Sequence, residues 1–170
     1  MKIITTANAA DYLAWYAKAL RDDTVWPFIS LTPRYDAIKI EDDDWERRVI
    51  MDDAATGVCV LRLNRNGDRS VYLSLWALSG AARAAVVGAL LRDAIMVGSR
   101  YGVEWIDSCC HESNEPSRRV HDKFFGTPWG IEPAGAWNGK LREYENRHCY
   151  RAAASSLELR INNSQEAVAA

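Results

Sequence analysis

The sequence predicts a mixed α/β (α+β) domain, in which one central sheet is flanked by helices. The first observation behind this prediction is the order of the periodic segments, which switch between the two-residue period of strands and the 3.6-residue period of helices. The second is composition. A chain of 170 residues that is 48% hydrophobic and 26% charged can bury one core without metal or disulfide cross-links. We assign residues 1–152 to this domain and residues 153–170 to a C-terminal tail.

The first half of the chain predicts a strand, a helix and then a three-stranded meander. Tyr12, Tyr16 and Leu20 recur at helical spacing, which indicates a helix with one apolar face. Asn66-Gly67 is a dipeptide favoured in two-residue hairpin turns, and it joins the last two strands of the meander. The elements predicted in this half are strand 2–5, helix 9–21, a short helix 35–40, and strands 45–51, 57–64 and 69–75.

The second half predicts two helices, each followed by a strand. A segment rich in Gly and Pro, residues 126–139, is expected to be irregular. In the tail, Leu157-Glu-Leu-Arg-Ile161 alternates apolar and charged residues, which predicts an edge strand that adds to a neighbouring chain. The elements predicted in this half are helix 80–99, strand 103–109, helix 115–125 and a closing strand 141–152.

A run of small residues marks the start of the long helix. The segment Trp76-Ala-Leu-Ser-Gly80-Ala-Ala82 leads from a strand directly into this helix. Free backbone N–H groups at a helix N-terminus bind anions well, so the junction indicates a phosphate-binding loop. The alternative is an ordinary helix start that Ser79 caps.

A second motif lies on the later helix. Asn114, Ser117, Val120 and Lys123 match the pattern Asn-x-x-Ser-x-x-Leu-Tyr-x-Lys-x-Gly-Phe with correct spacing. Through this pattern and the small-residue junction, the chain resembles the GNAT N-acetyltransferase superfamily over residues 1 to about 152. The resemblance implies a GNAT-like mixed sheet flanked by helices.

The resemblance also implies a site for acetyl-CoA and designates its residues. The backbone amides of Gly80, Ala81 and Ala82 would hold the pyrophosphate of acetyl-CoA, and Asn114 would fix the pantetheine arm or the helix start. His121 stands where the family often has the tyrosine that protonates the leaving CoA thiolate, so it would act as the general acid. The alternative is a histidine with a purely structural role.

Several residues depart from the family pattern. Ala77 replaces the Gln or Arg that begins the cofactor loop, and Phe125-Gly126 reverses the Gly-Phe pair. A general base must deprotonate the acceptor amine, and the family often uses a carboxylate on the central strands. Glu104, at the start of a central strand, is the predicted base, and Glu112 just after that strand is the other candidate.

These departures favour a non-catalytic structural or assembly protein with a degenerate acetyl-CoA loop. A narrower resemblance, over residues 71–130, is to small GNAT-like proteins of short-tailed phages, and it implies a component of a virion. The alternative is a working acetyl-CoA-dependent N-acetyltransferase that acts on an amine. The enzyme would have an open V-shaped cleft between strands 71–75 and 103–107, whereas in an assembly protein that cleft would be filled or covered.

The assembly role implies protein partners. Trp129 and Trp137 fall in the segment expected to be irregular, where indoles often anchor interfaces, and the tail 153–170 is the other expected contact. The alternative is that both indoles cover one end of the sheet.

Composition excludes other classes of function. The net charge is −2 and no basic run occurs, so the sequence lacks a nucleic-acid footprint. It also lacks a membrane segment, and we expect a cytoplasmic protein at synthesis that would enter a virion in the assembly role. No metal site is expected, because Cys109 and Cys110 are adjacent and a regular strand directs them to opposite faces.

Overall fold

The computed structural model describes residues 1–28, 47–63, 68–79 and 83–169. The predicted short helix 35–40 and the turn at Asn66-Gly67 lie outside these residues. Short 3₁₀ segments occur at Thr6–Asn8 and Trp26–Phe28. The helices are α1 Ala9–Ala19, α2 Arg83–Ser99, α3 Glu115–Phe124 and α4 Ala154–Ala169. The strands are β1 Lys2–Ile3, β2 Arg47–Met51, β3 Gly57–Leu63, β4 Ser70–Ala77, β5 Trp105–His111, β6 Gly130–Asn138 and β7 Glu143–Ala153.

All seven strands belong to one sheet, in the order β1-β2-β3-β4-β5-β7-β6. Among the described strands β4 and β5 pair in parallel, and every other neighbouring pair is antiparallel. A parallel pair needs a crossover, and α2 supplies it. The predicted mixed α/β fold with one central sheet is confirmed.

Each face of the sheet packs against its own apolar cluster. Val58 and Val60 of β3 face α1, where Trp15 is almost fully buried, whereas the intervening Cys59 and Leu61 face α2. This separation follows from the two-residue period of a strand, which sends successive side chains to opposite faces. Helices therefore cover both sides of β2 to β4.

The tail forms a helix, so the predicted edge strand at residues 157–161 is wrong. Leu157 and Ile161 lie four residues apart, on the same side of α4, and both are at most 1% exposed in the core beside α2 and α3. Leu159, between them, points to solvent with 62% exposure. The alternating run 157–161 also places Leu157 and Ile161 four residues apart, which is helical spacing. Burial of these two side chains favours the helix over the strand.

Residues 126–139 contain a regular strand, which the sequence did not predict. β6 pairs with β7 at the edge of the sheet, and the register shifts between Glu132 and Ala136. Pro133 lies within this shift, and Ala134 has a positive φ of 50°. An edge strand tolerates proline and an irregularity of this kind because one side of its backbone is free of ladder hydrogen bonds.

No described helix has the length and apolar character required to span a bilayer.

Candidate active site

The central feature of the site is a fork between β4 and β5. The two strands pair in parallel as far as Leu73 and Ser108, and the pairing ends there. The remaining segments, 74–77 of β4 and 109–111 of β5, continue without pairing to each other. The fork therefore opens towards the C-terminal ends of β4 and β5. It begins beyond much of the stretch 71–75 and 103–107 where the sequence predicts a V-shaped cleft, because residues 71–73 pair with residues 106–108.

One cavity, of about 460 Å³, lies beside the fork on the face of the sheet that carries Trp76 and its contact with Trp15 of α1. We call it the polar cavity, because hydrogen-bonding and charged side chains from β3, β4, β5 and β7 line much of it. These side chains are Arg62, Tyr72, Ser74, His111 and Arg147.

A second cavity, of about 320 Å³, lies between the end of β4 and the helices α2 and α3. We call it the apolar cavity, because aliphatic side chains dominate its wall, among them Val25, Val87 and Val120. The two cavities meet at the fork, where they share the lining residues Phe28, Leu75, Trp76, Asn114 and Ser117.

Asn114 lies where the cavities meet, at the N-cap of α3. Its Oδ1 accepts a hydrogen bond from the backbone N–H of Ser117 at 3.2 Å, which is the usual N-cap contact. Its Nδ2 group makes no hydrogen bond to a described residue. The cap therefore leaves two donor hydrogens in the lining of both cavities.

His121 is buried in α3 below the fork, with 6% exposure. Its Nδ1 lies 2.8 Å from the backbone carbonyl oxygen of Ser117, which can only accept, so Nδ1 carries a proton. Its Nε2 lies 2.8 Å from Ser108 Oγ, and that hydroxyl lies 2.9 Å from the carbonyl oxygen of Leu73. With Nδ1 protonated, Nε2 accepts from the Ser108 hydroxyl, whose one hydrogen is then not available to the Leu73 carbonyl, so the ring connects α3 to β5 at the fork.

Burial lowers the pKa of His121 below the ordinary histidine value, although the bond to the Ser117 carbonyl and the nearby Asp122 charge oppose the shift. The ring is thus neutral at pH 7, with its proton on Nδ1 held by a backbone carbonyl. This arrangement suits a structural tie between α3 and the fork. The role of general acid stays a prediction.

The lowered pKa of His121 predicts a pH-dependent stability. Below about pH 6.5 this histidine becomes protonated in the unfolded chain but stays neutral to lower pH in the folded chain. The unfolded state therefore binds more protons. We expect the free energy of unfolding to fall as the pH drops below about 6.5. Urea denaturation at several pH values measures this slope.

His121→Asn is the control variant, because its amide can still donate to the Ser117 carbonyl but does not titrate. We expect a shallower slope in this variant. Equal slopes in the two proteins would contradict the assignment of the pH dependence to His121.

The structure places Glu104, the predicted base, away from both cavities, and its role as base stays a prediction. Glu104 immediately precedes β5, at the end of the strand opposite the fork. Its side chain is 56% exposed and forms an ion pair with Arg69 at 2.6 Å. Glu112 follows β5 in an exposed turn and is not among the residues that line either cavity.

Gly80, Ala81 and Ala82 lie outside the described residues, so their predicted contact with a pyrophosphate stays a prediction. The backbone N–H of Ser79, just before them, donates to Asp22 Oδ2 at 2.5 Å. Desolvation opposes ionisation of Asp22, but hydrogen bonds from Thr24 and Ser79 outweigh it and lower the pKa of Asp22 to about 2.

The structure brings together one pair that the sequence did not single out. His111, at the end of β5, lines the polar cavity, and its Nδ1 lies 2.7 Å from Glu145 Oε1 on β7. The sequence draws attention to His111 only through its neighbouring cysteines. The two residues are 34 positions apart, and no motif links them.

The adjacent cysteines point to opposite faces of β5, as predicted. Cys110 is buried in the core on the α2 side, whereas Cys109 lines the polar cavity and contacts the Tyr72 hydroxyl. Within the described part of the chain, no group of three or more His, Cys, Asp or Glu side chains is placed to hold a metal ion.

The two tryptophans proposed as partner contacts differ in position. Trp129 precedes β6 and is 72% exposed. Trp137 lies on β6, lines the polar cavity and packs edge-on against Tyr144 with ring centroids 5.2 Å apart. A partner role for these residues or for the tail stays a prediction.

Solved structures resemble this chain over nearly its whole length. RimJ of Mycobacterium smegmatis, in complex with CoA-disulfide, matches with a TM-score of 0.71 at 14% identity, over 96% of this chain and 88% of that one. The ribosomal-protein-S5-alanine acetyltransferase of Vibrio fischeri matches with a TM-score of 0.70 at 12% identity, over 90% of this chain and 91% of that one. A GCN5-related N-acetyltransferase of Kribbella flavida matches with a TM-score of 0.67 at 16% identity, over 89% and 96%.

The chain has the GNAT N-acetyltransferase fold. The GNAT resemblance is thereby confirmed at the level of fold, and identities this low establish nothing finer. No protein-family model and no curated protein matches the sequence. The narrower resemblance to phage proteins is not addressed by these similar structures and stays a prediction.

Proposed function

We propose that the protein is an acetyl-CoA-dependent N-acetyltransferase that transfers an acetyl group to an amine. The fork between β4 and β5 is the observation behind this proposal, since it joins an apolar and a polar cavity at Asn114 and Ser117. Acyl transfer from a thioester to an amine requires two such compartments that meet at one point, because the reacting atoms must approach to about 3 to 3.5 Å.

The residues of the apolar cavity fit the thioester arm of acetyl-CoA. Val87 and Val120 supply aliphatic walls for the methylene groups of the arm, and Nδ2 of Asn114, which no described residue engages, can donate to one of its amide carbonyls. The amides of Gly80, Ala81 and Ala82, before the N-terminus of α2, would then hold the pyrophosphate. Bound acetyl-CoA supplies the activated acetyl group.

The polar cavity would receive the acceptor. It reaches the fork from the opposite side and ends at the same Asn114 and Ser117. An acceptor amine there would approach the acetyl carbon from the face of the sheet that carries Tyr72 and His111. The bonds from His121 to Ser117 and Ser108 hold this meeting point in place without substrate.

The fold neighbours add support of a general kind. The proteins from Kribbella flavida and Vibrio fischeri are acetyltransferases by name, and the structure of Mycobacterium smegmatis RimJ contains CoA-disulfide. Shared fold alone does not transfer an activity, so the proposal depends on the cavities of this chain.

Calorimetric titration of the purified protein with acetyl-CoA tests the proposal. We expect saturable binding in the micromolar range and release of free thiol when a mixture of primary amines is added. Absence of both heat and thermal stabilisation at millimolar acetyl-CoA would overturn the proposal. A protein that binds acetyl-CoA in its folded state is stabilised against unfolding at that ligand concentration.

The non-catalytic assembly role is the other function suggested by the sequence. It requires a cleft that is filled or covered, whereas the described residues leave two connected cavities at the fork. No described feature favours the assembly role over the enzyme. If acetyl-CoA does not bind, the assembly role becomes the better explanation.

A further inference from the structure

A histidine that lines the polar cavity, His111, is in direct contact with a carboxylate behind it, Glu145. Glu145 on β7 is nearly buried, with 9% side-chain exposure, and its Oε1 lies 2.7 Å from Nδ1 of His111. The same carboxylate accepts hydrogen bonds from the Ser113 backbone and hydroxyl, at 3.1 and 3.0 Å, and from Asn138 Nδ2 at 3.1 Å. Four donors thus hold one carboxylate in a single orientation.

These donors also keep Glu145 ionised. Desolvation acts to raise the pKa of a buried carboxyl group, but here the hydrogen bonds from Ser113, His111 and Asn138 outweigh it. The net result is a pKa of Glu145 below its ordinary value. A carboxylate can only accept, so Nδ1 of His111 carries a proton and donates it to Glu145.

The other ring nitrogen of His111 is available to a ligand. Nε2 makes no hydrogen bond to a described residue, and His111 lines the polar cavity. The Phe28 ring packs edge-on against the imidazole at 5.0 Å between centroids, which limits rotation of the ring. Glu145 accepts the proton on Nδ1 and so fixes the orientation of the ring. In the neutral histidine, Nε2 therefore has the lone pair.

Two other described carboxylates, Glu104 and Glu132, are not placed to act as the base at the fork. Glu104 lies at the far end of β5, and Glu132 is paired with Arg147.

We propose that His111 is the general base of the acyl transfer and that Glu145 is the residue that positions it. This inference rests on the proposed function. Nε2 of His111 takes the proton that the acceptor amine gives up as the N–C bond to the acetyl carbon forms. The C–S bond breaks, and His111 passes the same proton to the leaving sulfur, directly or through water. Amine and thioester become amide and thiol, and His111 returns to its neutral form.

The first experiment measures the tautomer of His111, independently of activity. Long-range ¹H–¹⁵N spectra of the imidazoles distinguish protonated Nδ1 from protonated Nε2, and His111→Gln assigns the signals. We expect protonated Nδ1 in the wild-type protein and reversion to protonated Nε2 in Glu145→Ala. Protonated Nε2 in the wild-type protein would overturn the inference.

The second experiment measures acetyl-CoA consumption with water alone and with the amine mixture. We expect His111→Gln to lower kcat/KM by about 100-fold or more, the usual contribution of a general base, while acetyl-CoA affinity is unchanged. Glu145→Gln should lower kcat by a smaller factor, with little effect on KM. His148→Gln is the matched control, because His148 is not among the residues that line the polar cavity.

The two possible failures are distinguishable. A wild-type protein that does not bind acetyl-CoA overturns the proposed function and this inference with it. Normal acetyl-CoA binding together with equal rates in the wild type and His111→Gln overturns the role of His111 alone. Thermal unfolding of each variant identifies a loss of rate that comes from loss of fold.

Discussion

Replacement of Leu157 by alanine is expected to lower the free energy of unfolding by about 2 to 5 kcal/mol. The side chain is fully buried in the core, where α4 packs against α2 and α3. The truncation removes buried methyl groups and leaves a cavity that the surrounding helices can fill only in part. Urea denaturation at pH 7.5 measures the change as a shift of the midpoint.

Leu159→Ala is the matched control, since it makes the same chemical change two residues away on the same helix. Leu159 is 62% exposed, so we expect a change within about 0.5 kcal/mol. Equal effects of the two substitutions would show that α4 does not pack as described. Deletion of residues 153–170 would remove part of the core, so it tests folding before it tests any partner.

Replacement of Ser117 by tryptophan is expected to weaken acetyl-CoA binding by at least about 100-fold, or about 2.8 kcal/mol. Ser117 lies on α3 where the two cavities meet, and an indole there would occupy the space between them. Calorimetric titration measures the affinity, and release of thiol with the amine mixture measures the expected loss of turnover.

Arg119→Trp is the control for this variant, because Arg119 lies on the same helix with 76% side-chain exposure and outside the lining of both cavities. It should bind acetyl-CoA as the wild type does. Ser117→Val adds less volume and should give an intermediate loss, which guards against misfolding of the tryptophan variant. Wild-type affinity in a folded Ser117→Trp protein would contradict the location of the donor at the fork.

The sequence predicted most of the fold because its strands and helices differ clearly in period. The meander is predicted from alternation and hairpin chemistry, and its described strands begin and end within two residues of the expected bounds. The start of α3 at Glu115 is predicted as well, and Asn114 caps it as one of the two roles expected from the sequence. In the candidate site, Asn114 caps α3 and lines both cavities, and its contact with the pantetheine arm stays a prediction.

The rest depended on contacts between residues distant in sequence. His111 and Glu145 come together only because β5 and β7 are neighbours in the sheet, and no local signal announces that pairing. The position of Glu104 was also not predictable from local sequence. Its distance from the cleft depends on which end of the parallel pair β4 and β5 separates, and the strands separate at the other end.

The sequence by itself determined the fold class and the order of most elements, because local periodicity encodes these properties. The tertiary structure alone decided that residues 157–161 form a helix, that residues 130–138 form an edge strand, and that His111 meets Glu145. The physical reason is that burial against distant segments outweighs weak local preference when a short segment is compatible with two conformations.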